Sequence, residues 1–251
     1  SLAGNRDKDW GKKKKFREGQ TEQILDTLFF DFIDLAKELQ PKVVVAENVK
    51  GLLQGNAIEY VKEIYKQFDE AGYNCQHWLL DASTMGVPQR RERVFFICLR
   101  KDLSKAFLVQ KDMFTQVPKL ELNFNEKPIF FKQIQIMFQD QRKDLPKSDE
   151  KYWKGAKEKG RAFLQNGNKF GFFYKALDNL VCATIDASSR YAINQSKHLL
   201  LDFEFIKIGS FPKDYNFNKN RVQYIIGMSV PPVMIANIVT EIYEQWLNKI
   251  K

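Results

Sequence analysis

The first part of the chain shows two hydrophobic patterns in turn. Apolar residues recur every three or four positions over Thr21–Leu39, which predicts an amphipathic helix that Pro41 ends. Val43–Ala46 is apolar at consecutive, mostly β-branched positions, a pattern typical of a parallel strand covered on both faces. The helical period returns over 56–71 and ends at Gly72. These patterns predict a helix, a buried strand and a second helix in succession.

Two further strands are predicted on either side of a polar loop. Cys75–Ala82 and Arg93–Arg100 are rich in apolar and aromatic residues, and the loop "STMGVPQRRE" joins them. Helices that alternate with strands favour an α/β fold, and this order is typical of the second half of a doubly wound, Rossmann-like sheet. We therefore expect residues 1–100 to form one partial α/β domain.

The rest of the chain is predicted to form a smaller domain and a returning helix. Residues 101–220 lose the period and are polar, aromatic and rich in turns, which indicates mostly β or irregular structure. The strand candidates are "LVCATIDA" (180–187) and "LLLDFEFIKI" (199–208), and a set of insertions with no domain of their own is the alternative. Residues 221–251 contain a last helix, predicted over Pro232–Lys249.

Composition indicates the class of partner. Forty Lys and Arg against 31 Asp and Glu leave a net charge of +9, which favours nucleic acid or an anionic membrane surface. The apolar runs fall short of the roughly 18 residues of a spanning helix, and no signal peptide opens the chain. A soluble cytoplasmic protein is therefore predicted. The widely spaced Cys75, Cys98 and Cys182 form neither a disulfide framework nor a metal knuckle, so no metal is expected.

Two polar residues follow the valine strand. In open α/β sheets the reacting groups gather at the carboxyl ends of strands, and Glu47 and Asn48 lie at such an end. Burial beside the strand disfavours the charged carboxylate, which would suit Glu47 to proton transfer. A glutamate that caps the next helix or meets an arginine is the alternative interpretation.

A second polar group enters the last strand of the first domain. Gln89, Arg91 and Arg93 occupy alternate positions, so in extended backbone their side chains share one side. An amide and two guanidinium groups on one face are suited to phosphate or to the polar edge of a base. A solvated charged edge is the alternative for any one of these residues.

Four segments in order resemble the DNA (cytosine-5)-methyltransferases. "AENVKGL" (46–52) is similar to the family's Glu-Asn-Val motif, and "GVPQRRER" (86–93) is similar to its Gln-x-Arg-x-Arg motif. "DTLFFDF" (26–32) resembles the helix that touches the methyl donor, and "GMSVPPVMIANI" (227–238) resembles the closing Gly-Asn-Ser-Val-Pro-Pro motif. Two weaker similarities are "ATIDA" (183–187), to a Thr-Ile element, and "LDFEFIKIGSFP" (201–212), to a motif with arginine at Lys207.

The resemblance implies a reaction and roles for individual residues. A cysteine thiolate attacks C6 of a flipped-out cytosine in double-stranded DNA, and C5 receives a methyl group from S-adenosylmethionine. Glu47 would hold or donate a proton at N3, and Asn48 would orient the adjacent backbone. Arg91 and Arg93 would hold the cytosine carbonyl and the flanking phosphates. Leu28 and Ser229 would contact the methyl donor, and Ser1, Gln89 and Thr184 would contact DNA. Residues 101–220 would form a target-recognition domain that enters the major groove.

The sequence also departs from the family. It contains no Phe-x-Gly-x-Gly donor loop, and no cysteine follows a proline. The opening "SLAG" resembles the turn after the nucleophile, so we expect the latter two-thirds of such an enzyme, inactive alone. The alternatives are a split enzyme with a complementary N-terminal chain, a catalytically dead DNA-binding homologue and a tRNA methyltransferase. Met228 stands where the family has Asn. For the basic loop with Lys12–Lys15, contact with phosphates and a disordered charged linker are the two interpretations.

Overall fold

A computed structural model of the protein describes residues 28–55, 57–113, 115–135, 142–155, 161–166, 169–188, 190–193 and 196–250. Three predicted features lie outside these residues: Ser1, the basic loop with Lys12–Lys15, and the first part of the helix predicted from Thr21.

The described residues form helices and strands in the following order. The helices are Leu28–Leu39 (α1), Ala57–Glu70 (α2), Lys101–Ser104 (α3), Phe131–Ile134 (α4), Glu150–Gly155 (α5), Asp202–Ile208 (α6), Val222–Met228 (α7) and Pro232–Gln245 (α8). The strands are Val43–Val49 (β1), Tyr73–Asp81 (β2), Glu92–Arg100 (β3), Leu108–Gln110 (β4), Gln116–Pro118 (β5), Arg161–Asn166 (β6), Lys169–Ala176 (β7) and Arg190–Ile193 (β8).

The direction of β1 differs from the prediction. The strands β1, β3 and β2 form one sheet in that order, and β1 pairs with β3 in antiparallel register, with Val43 opposite Leu99. In β1 only Val44 and Ala46 are buried, whereas every residue of Val94–Leu99 in β3 is buried. The prediction that β1 is a parallel strand is wrong for its pairing with β3. A run of apolar residues indicates that a strand is buried, but it does not indicate the direction of the neighbouring strand.

The helices α1 and α2 cover one face of this sheet, as their amphipathic period predicts. Ile33 and Ala36 of α1 and Ile64 and Phe68 of α2 lie in one hydrophobic cluster with alternate residues of β1 and β3. α2 ends where predicted, because Gly72 adopts a backbone φ of +91° that suits glycine.

A second apolar stripe on α1 is exposed to solvent. Leu28, Phe32, Leu35 and Leu39 follow one another at spacings of four and three, so they lie along one side of the helix. Their exposed fractions range from 38% for Phe32 to 71% for Leu39. We call these four residues the exposed α1 stripe. Large apolar residues exposed side by side are typical of a surface that another segment or chain covers.

The chain divides into two compact units. Unit 1 consists of Ser1–Leu80, Glu92–Leu122 and Glu241–Lys251, and unit 2 consists of Asp81–Arg91 and Asn123–Thr240. The boundaries predicted from the loss of period, after residues 100 and 220, differ from these. Both units are discontinuous in sequence, which a local hydrophobic pattern cannot detect.

Contacts of Trp246 explain why the end of the chain belongs to unit 1. The Trp246 ring is fully buried, and its Nε1 donates a hydrogen bond of 2.7 Å to the carbonyl oxygen of Lys119. Next to it, the Gln245 side chain donates to the carbonyl oxygen of Glu121 and accepts from the Glu121 amide. These three hydrogen bonds attach the last helical turn to the segment that follows β5.

The sheet of unit 2 mixes strand directions. β6 and β7 are antiparallel, and β7 and β8 are parallel. The rings of Tyr174 and Tyr191 stack across β7 and β8 with centroids 4.7 Å apart. The strand candidate at 180–187 contains no strand in the structure and makes one parallel bridge, between Cys182 and Gln89.

The strand candidate at 199–208 is wrong, because most of it forms the helix α6. Phe205 and Ile208 are buried three positions apart, which is a helical spacing. The Glu204 carboxylate accepts a hydrogen bond of 3.0 Å from the amide of Leu201, just before the helix begins. A carboxylate at this position satisfies one of the free amides of the first turn.

The segment Val222–Lys249 is long and apolar enough to span a membrane by length and composition alone. In the structure it is interrupted between α7 and α8, where Pro231 cannot continue a helix. Within α8 and the following turn, Met234, Ile238, Ile242 and Trp246 are buried at regular spacings of four. One buried stripe is typical of a helix that packs against protein on one side. The helix predicted over Pro232–Lys249 ends at Gln245 and continues as a 3₁₀ turn.

Among the ion pairs of the described residues, the one between Arg142 and Glu204 is the most deeply buried. Arg142 donates two hydrogen bonds, of 2.7 and 2.9 Å, to the two carboxylate oxygens, and the side chains are 2% and 0% exposed. A bidentate pair of this kind fixes the orientation of both planes. It therefore holds the segment around residue 142 against the start of α6.

We predict that Glu204→Ala lowers the free energy of unfolding by about 3–5 kcal/mol, because it leaves a buried guanidinium without its carboxylate. The control is Glu150→Ala, which removes the exposed pair of Glu150 with Lys197 and costs under about 1 kcal/mol. Urea unfolding followed by circular dichroism measures both changes. Equal losses in the two variants would contradict the prediction.

Candidate active site

In unit 1, Glu47 of β1 forms an ion pair with Arg93 of β3. Arg93 Nε lies 2.7 Å from Glu47 Oε1. The register sets Glu47 opposite Phe95 and Arg93 opposite Val49, so the two side chains are diagonal neighbours on one face of the sheet. Burial lowers the pKa of Arg93, and the charge of Glu47 opposes that shift. Antiparallel pairing therefore brings together two predicted site residues that lie 46 positions apart in the sequence.

The Glu47–Arg93 pair is only partly covered. The side chain of Glu47 is 31% exposed and that of Arg93 is 16% exposed. The alternative interpretation of Glu47, a glutamate that meets an arginine, is the contact observed. This contact is compatible with the predicted role of Glu47 in proton transfer. A carboxylate held beside a guanidinium offers a ligand an acceptor and a donor side by side.

Asn48 contacts the backbone that follows it. Its Oδ1 accepts a hydrogen bond of 2.8 Å from the amide of Val49. Nearby, Lys50 Nζ lies 2.8 Å from Glu92 Oε1, which links the ends of β1 and β3 a second time. These contacts stiffen the backbone that carries Glu47. A role for Asn48 in catalysis stays a prediction.

In unit 2, Gln89 and Arg91 are buried, at 0% and 2% exposed. Arg91 Nη1 donates to the carbonyl oxygen of Ile185 at 2.9 Å, and Arg91 Nη2 donates to that of Gly227 at 3.0 Å. Gln89 Oε1 accepts from the amide of Ile185 at 3.0 Å, and its Nε2 donates to the carbonyl oxygen of Ile208 at 3.3 Å. Both side chains thus bind protein backbone, and their predicted contact with DNA stays a prediction.

The loop before β3 depends on Asp81, a residue that the sequence analysis missed. Asp81 Oδ1 accepts hydrogen bonds from the amides of Ser83 at 3.0 Å and Arg91 at 3.1 Å. The first of these bonds is an Asx turn, for which Asp followed two positions later by Ser is a recognisable signal. Asp81 therefore fixes both ends of the loop that carries Gln89.

The hydroxyl groups of Thr184 and Ser229 also bind backbone. Thr184 Oγ1 donates to the carbonyl oxygen of Arg90 at 2.7 Å, and Ser229 Oγ donates to that of Ile225 at 2.6 Å. Gly227 packs so closely on the 186–187 backbone that an added Cβ would lie 2.5 Å from the amide nitrogen of Ala187. The closing motif and the Thr-Ile element are therefore in direct contact within unit 2.

The cysteines of the chain are poorly placed to act as nucleophiles. Burial raises the pKa of the Cys98 thiol well above its usual range, and burial raises the pKa of Cys182 to about 12. A thiol attacks as the thiolate, so a raised pKa suppresses its reactivity. Cys75 lies within β2 with its Sγ turned to the carbonyl oxygen of Gln76. Among the residues that the structure describes, no group of three His, Cys, Asp or Glu could hold a metal ion.

Comparisons with known proteins agree on one family. The model of the C-5 cytosine-specific DNA methylase family matches residues 9–244. The type II methyltransferase M.FnuDI of Fusobacterium nucleatum is 52% identical over 77 residues, which are 31% of this chain and 22% of that protein. The type II methyltransferase M.HhaI of Haemophilus parahaemolyticus is 39% identical over 97 residues, which are 38% of this chain and 27% of that protein. The matches thus span about a quarter of the length of these curated relatives.

Solved structures show a similar fold. A DNMT2 variant of Spodoptera frugiperda superposes with a TM-score of 0.61 and 19% identity, over 93% of this chain and 75% of that chain. The Dnmt2 methyltransferase of S. pombe superposes with a TM-score of 0.56 and 12% identity, over 86% of this chain and 71% of that chain. The predicted mixed α/β, Rossmann-like fold class is confirmed by these similarities.

We predict that Arg91→Met lowers the free energy of unfolding by about 2–5 kcal/mol, because two buried carbonyl groups lose their donors. The matched control is Arg90→Met, one position away on an exposed side chain, which changes stability by about 0.5 kcal/mol or less. Chemical unfolding of the two variants measures the difference. If Arg91→Met is as stable as Arg90→Met, the backbone contacts of Arg91 are not structural.

Proposed function

This chain belongs to the C-5 cytosine-specific DNA methylase family, and on that premise we propose that it carries the base-binding and recognition parts of a DNA (cytosine-5)-methyltransferase. The proposed reaction transfers a methyl group from S-adenosylmethionine to C5 of a flipped cytosine in a specific sequence of double-stranded DNA. The net charge of +9 favours contact with the phosphate backbone. A family member of this composition would act in the cytoplasm of a microbe.

The observation that carries the proposal is the half-open pair of Glu47 and Arg93, with 2.7 Å between Oε1 and Nε. A cytosine ring protonated at N3 presents a donor at N3 and an acceptor at O2, and a carboxylate beside a guanidinium complements that edge. In the proposed roles Glu47 holds the proton at N3 and Arg93 donates to O2. The N3 proton draws electrons from the ring, so C6 becomes open to attack by a thiolate.

The later steps return these groups to their starting state. Attack at C6 places an electron pair at C5, and the donor would supply the methyl group there and leave as S-adenosylhomocysteine. A base would then take the C5 proton, the C5–C6 double bond would form again as the thiolate leaves, and the N3 proton would return to Glu47. Throughout, Asn48 orients the backbone next to the carboxylate through its contact with the Val49 amide.

The donor site is incomplete in this chain. Leu28 offers an exposed apolar surface for the donor, but the Ser229 hydroxyl is already bonded to the carbonyl oxygen of Ile225. The sequence contains no Phe-x-Gly-x-Gly loop and no Pro-Cys pair. We therefore assign the donor loop and the nucleophile to a complementary segment, either in the same polypeptide or in a second chain.

The exposed α1 stripe supports a complementary segment. Its four large apolar residues lie on the first described helix, and in water they would favour burial against another surface. The edge of β1 away from β3 has no strand partner among the described residues. A strand that pairs there and a helix that packs on α1 would extend the same sheet.

We predict that this chain alone transfers no methyl group to DNA, because its own thiols are buried or held within strands. Incorporation of a labelled methyl group into mixed-sequence DNA measures this activity. The same assay with a complementary segment, fused upstream or added as a second chain, should restore transfer. Transfer by the isolated chain would contradict the assignment, and a failure of every complemented form would favour the catalytically dead DNA-binding homologue.

In the complemented enzyme, Glu47→Gln should slow single-turnover methyl transfer by about two orders of magnitude or more, because an amide cannot exchange the N3 proton. The control is Glu59→Gln, an exposed glutamate of α2, which should leave the rate within about twofold. Rapid-quench measurement of the first turnover separates this step from product release. An unchanged rate in Glu47→Gln would remove Glu47 from the mechanism.

A further inference from the structure

Unit 2 contains a cavity of about 380 Å³ to which the proposed reaction assigns no role. Apolar side chains, including those of Phe130 and Leu180, form most of its wall. The polar residues of the lining are Ser83, Arg90 and Lys175. The lining thus combines two cations with an apolar surface and contains no carboxylate.

Backbone hydrogen bonds hold the walls of this cavity. The amide of Arg90 donates to the carbonyl oxygen of Cys182 at 2.9 Å, so the backbone of residue 90 is fixed while its side chain is exposed. The amide of Phe131, which follows the lining residue Phe130, donates to the carbonyl oxygen of the lining residue Leu180 at 3.0 Å. β7 places Lys175 one residue before its end. The cavity is therefore formed by regular backbone contacts within one unit.

The two cations have no ionic partner in the part of the chain that the structure describes. No carboxylate lies within ion-pair distance of Arg90 or Lys175 there. Lys175 Nζ lies 3.9 Å from the centroid of the Trp153 ring, and burial lowers the pKa of this lysine. Two positive groups in the lining of one cavity favour an anion as its ligand.

The shape of the cavity limits the kind of anion. A phosphate group alone would leave most of the volume empty, and it would not use the apolar wall. In a nucleotide, a phosphate is joined to a sugar and a flat base. The phosphate matches the two cations, and the sugar and base match the apolar surface. The net charge of +9 favours a polyanion over a free nucleotide, so DNA is the source that best fits this position.

We propose that this cavity binds one nucleotide of the DNA substrate, with its phosphate between Arg90 and Lys175 and its sugar or base against Phe130 and Leu180. The identity of the ligand rests on the proposed function, whereas the pocket itself rests on the geometry of unit 2. Contacts to phosphate position a duplex without reading its sequence, so the cavity fixes the register of the recognition unit on DNA.

The test compares two double variants that lose the same charge. Arg90→Gln with Lys175→Gln removes both cations of the cavity, and Lys213→Gln with Lys249→Gln removes two exposed lysines elsewhere. Fluorescence anisotropy with a labelled duplex measures binding by the full chain at several salt concentrations. We expect the cavity variant to bind at least about tenfold more weakly, with a slope of log K against log salt that is smaller by about 0.9, the value for one phosphate.

The control variant should bind within about threefold of the unmodified chain and keep its salt slope. A charge-retaining variant, Arg90→Lys with Lys175→Arg, should also keep most of the affinity, and circular dichroism should show all three folded. Equal losses in the cavity and control variants would overturn the proposal, because the effect would then follow net charge. Failure of the unmodified chain to bind duplex DNA would overturn it as well.

A second measurement locates the ligand without relying on affinity. Acetylation of Lys175 by an activated ester, followed by mass spectrometry, should be slowed by duplex DNA at least about fivefold and left unchanged by inorganic phosphate. Protection by phosphate alone, or by neither ligand, would overturn the proposal. These readouts do not depend on methyl transfer, so an unchanged rate in Glu47→Gln would refute the proposed function and leave the nucleotide pocket standing.

Discussion

The buried guanidinium of Arg91 is the constraint on which the organisation of unit 2 depends. A guanidinium cannot lose its charge in a protein, so burial at 2% exposure requires acceptors for its donors. Its two terminal nitrogen atoms find them in the carbonyl groups of Ile185 and Gly227. One side chain thereby joins the loop before β3, the Thr-Ile element and the closing motif, three stretches that lie far apart in sequence. In the same region Gly227 packs on the 186–187 backbone with no room for a Cβ.

Three arginines within four positions consequently meet three different environments. Arg91 is buried and binds backbone, Arg93 pairs with Glu47 at a half-open position, and Arg90 is exposed at the rim of a cavity. The residue type is the same in each case, but the surroundings decide what the guanidinium does. The buried guanidinium binds backbone carbonyl groups, the half-buried one pairs with a carboxylate, and the exposed one lines a cavity for which we propose a phosphate. Short motifs therefore contain both structural and functional residues.

In the proposed chemistry this chain supplies the base-binding side, and its sequence contains neither a Pro-Cys pair nor a Phe-x-Gly-x-Gly segment. Two of its thiols are suppressed by burial, and its first described helix exposes a long apolar stripe. The two observations are consistent with each other. In the proposal, a complementary segment that covers the exposed α1 stripe would also supply the nucleophile and the donor loop. The proposed pocket at Arg90 and Lys175 is a property of unit 2 by itself, so DNA contact and methyl transfer can be measured separately.

Local sequence determined the parts of the protein that depend on neighbouring residues. The period of α1 and α2, the strands β2 and β3, the stop at Gly72 and the motifs that identify the family were all readable, because each is expressed within a short window. Tertiary structure alone decided the antiparallel partner of β1, the helix α6, the limits of the two units and the burial of Arg91 against backbone carbonyl groups. Those features depend on contacts such as Arg91 with Gly227, across 136 positions. A hydrophobic pattern records how deeply a residue is buried, and it carries no information about which distant group will be its partner.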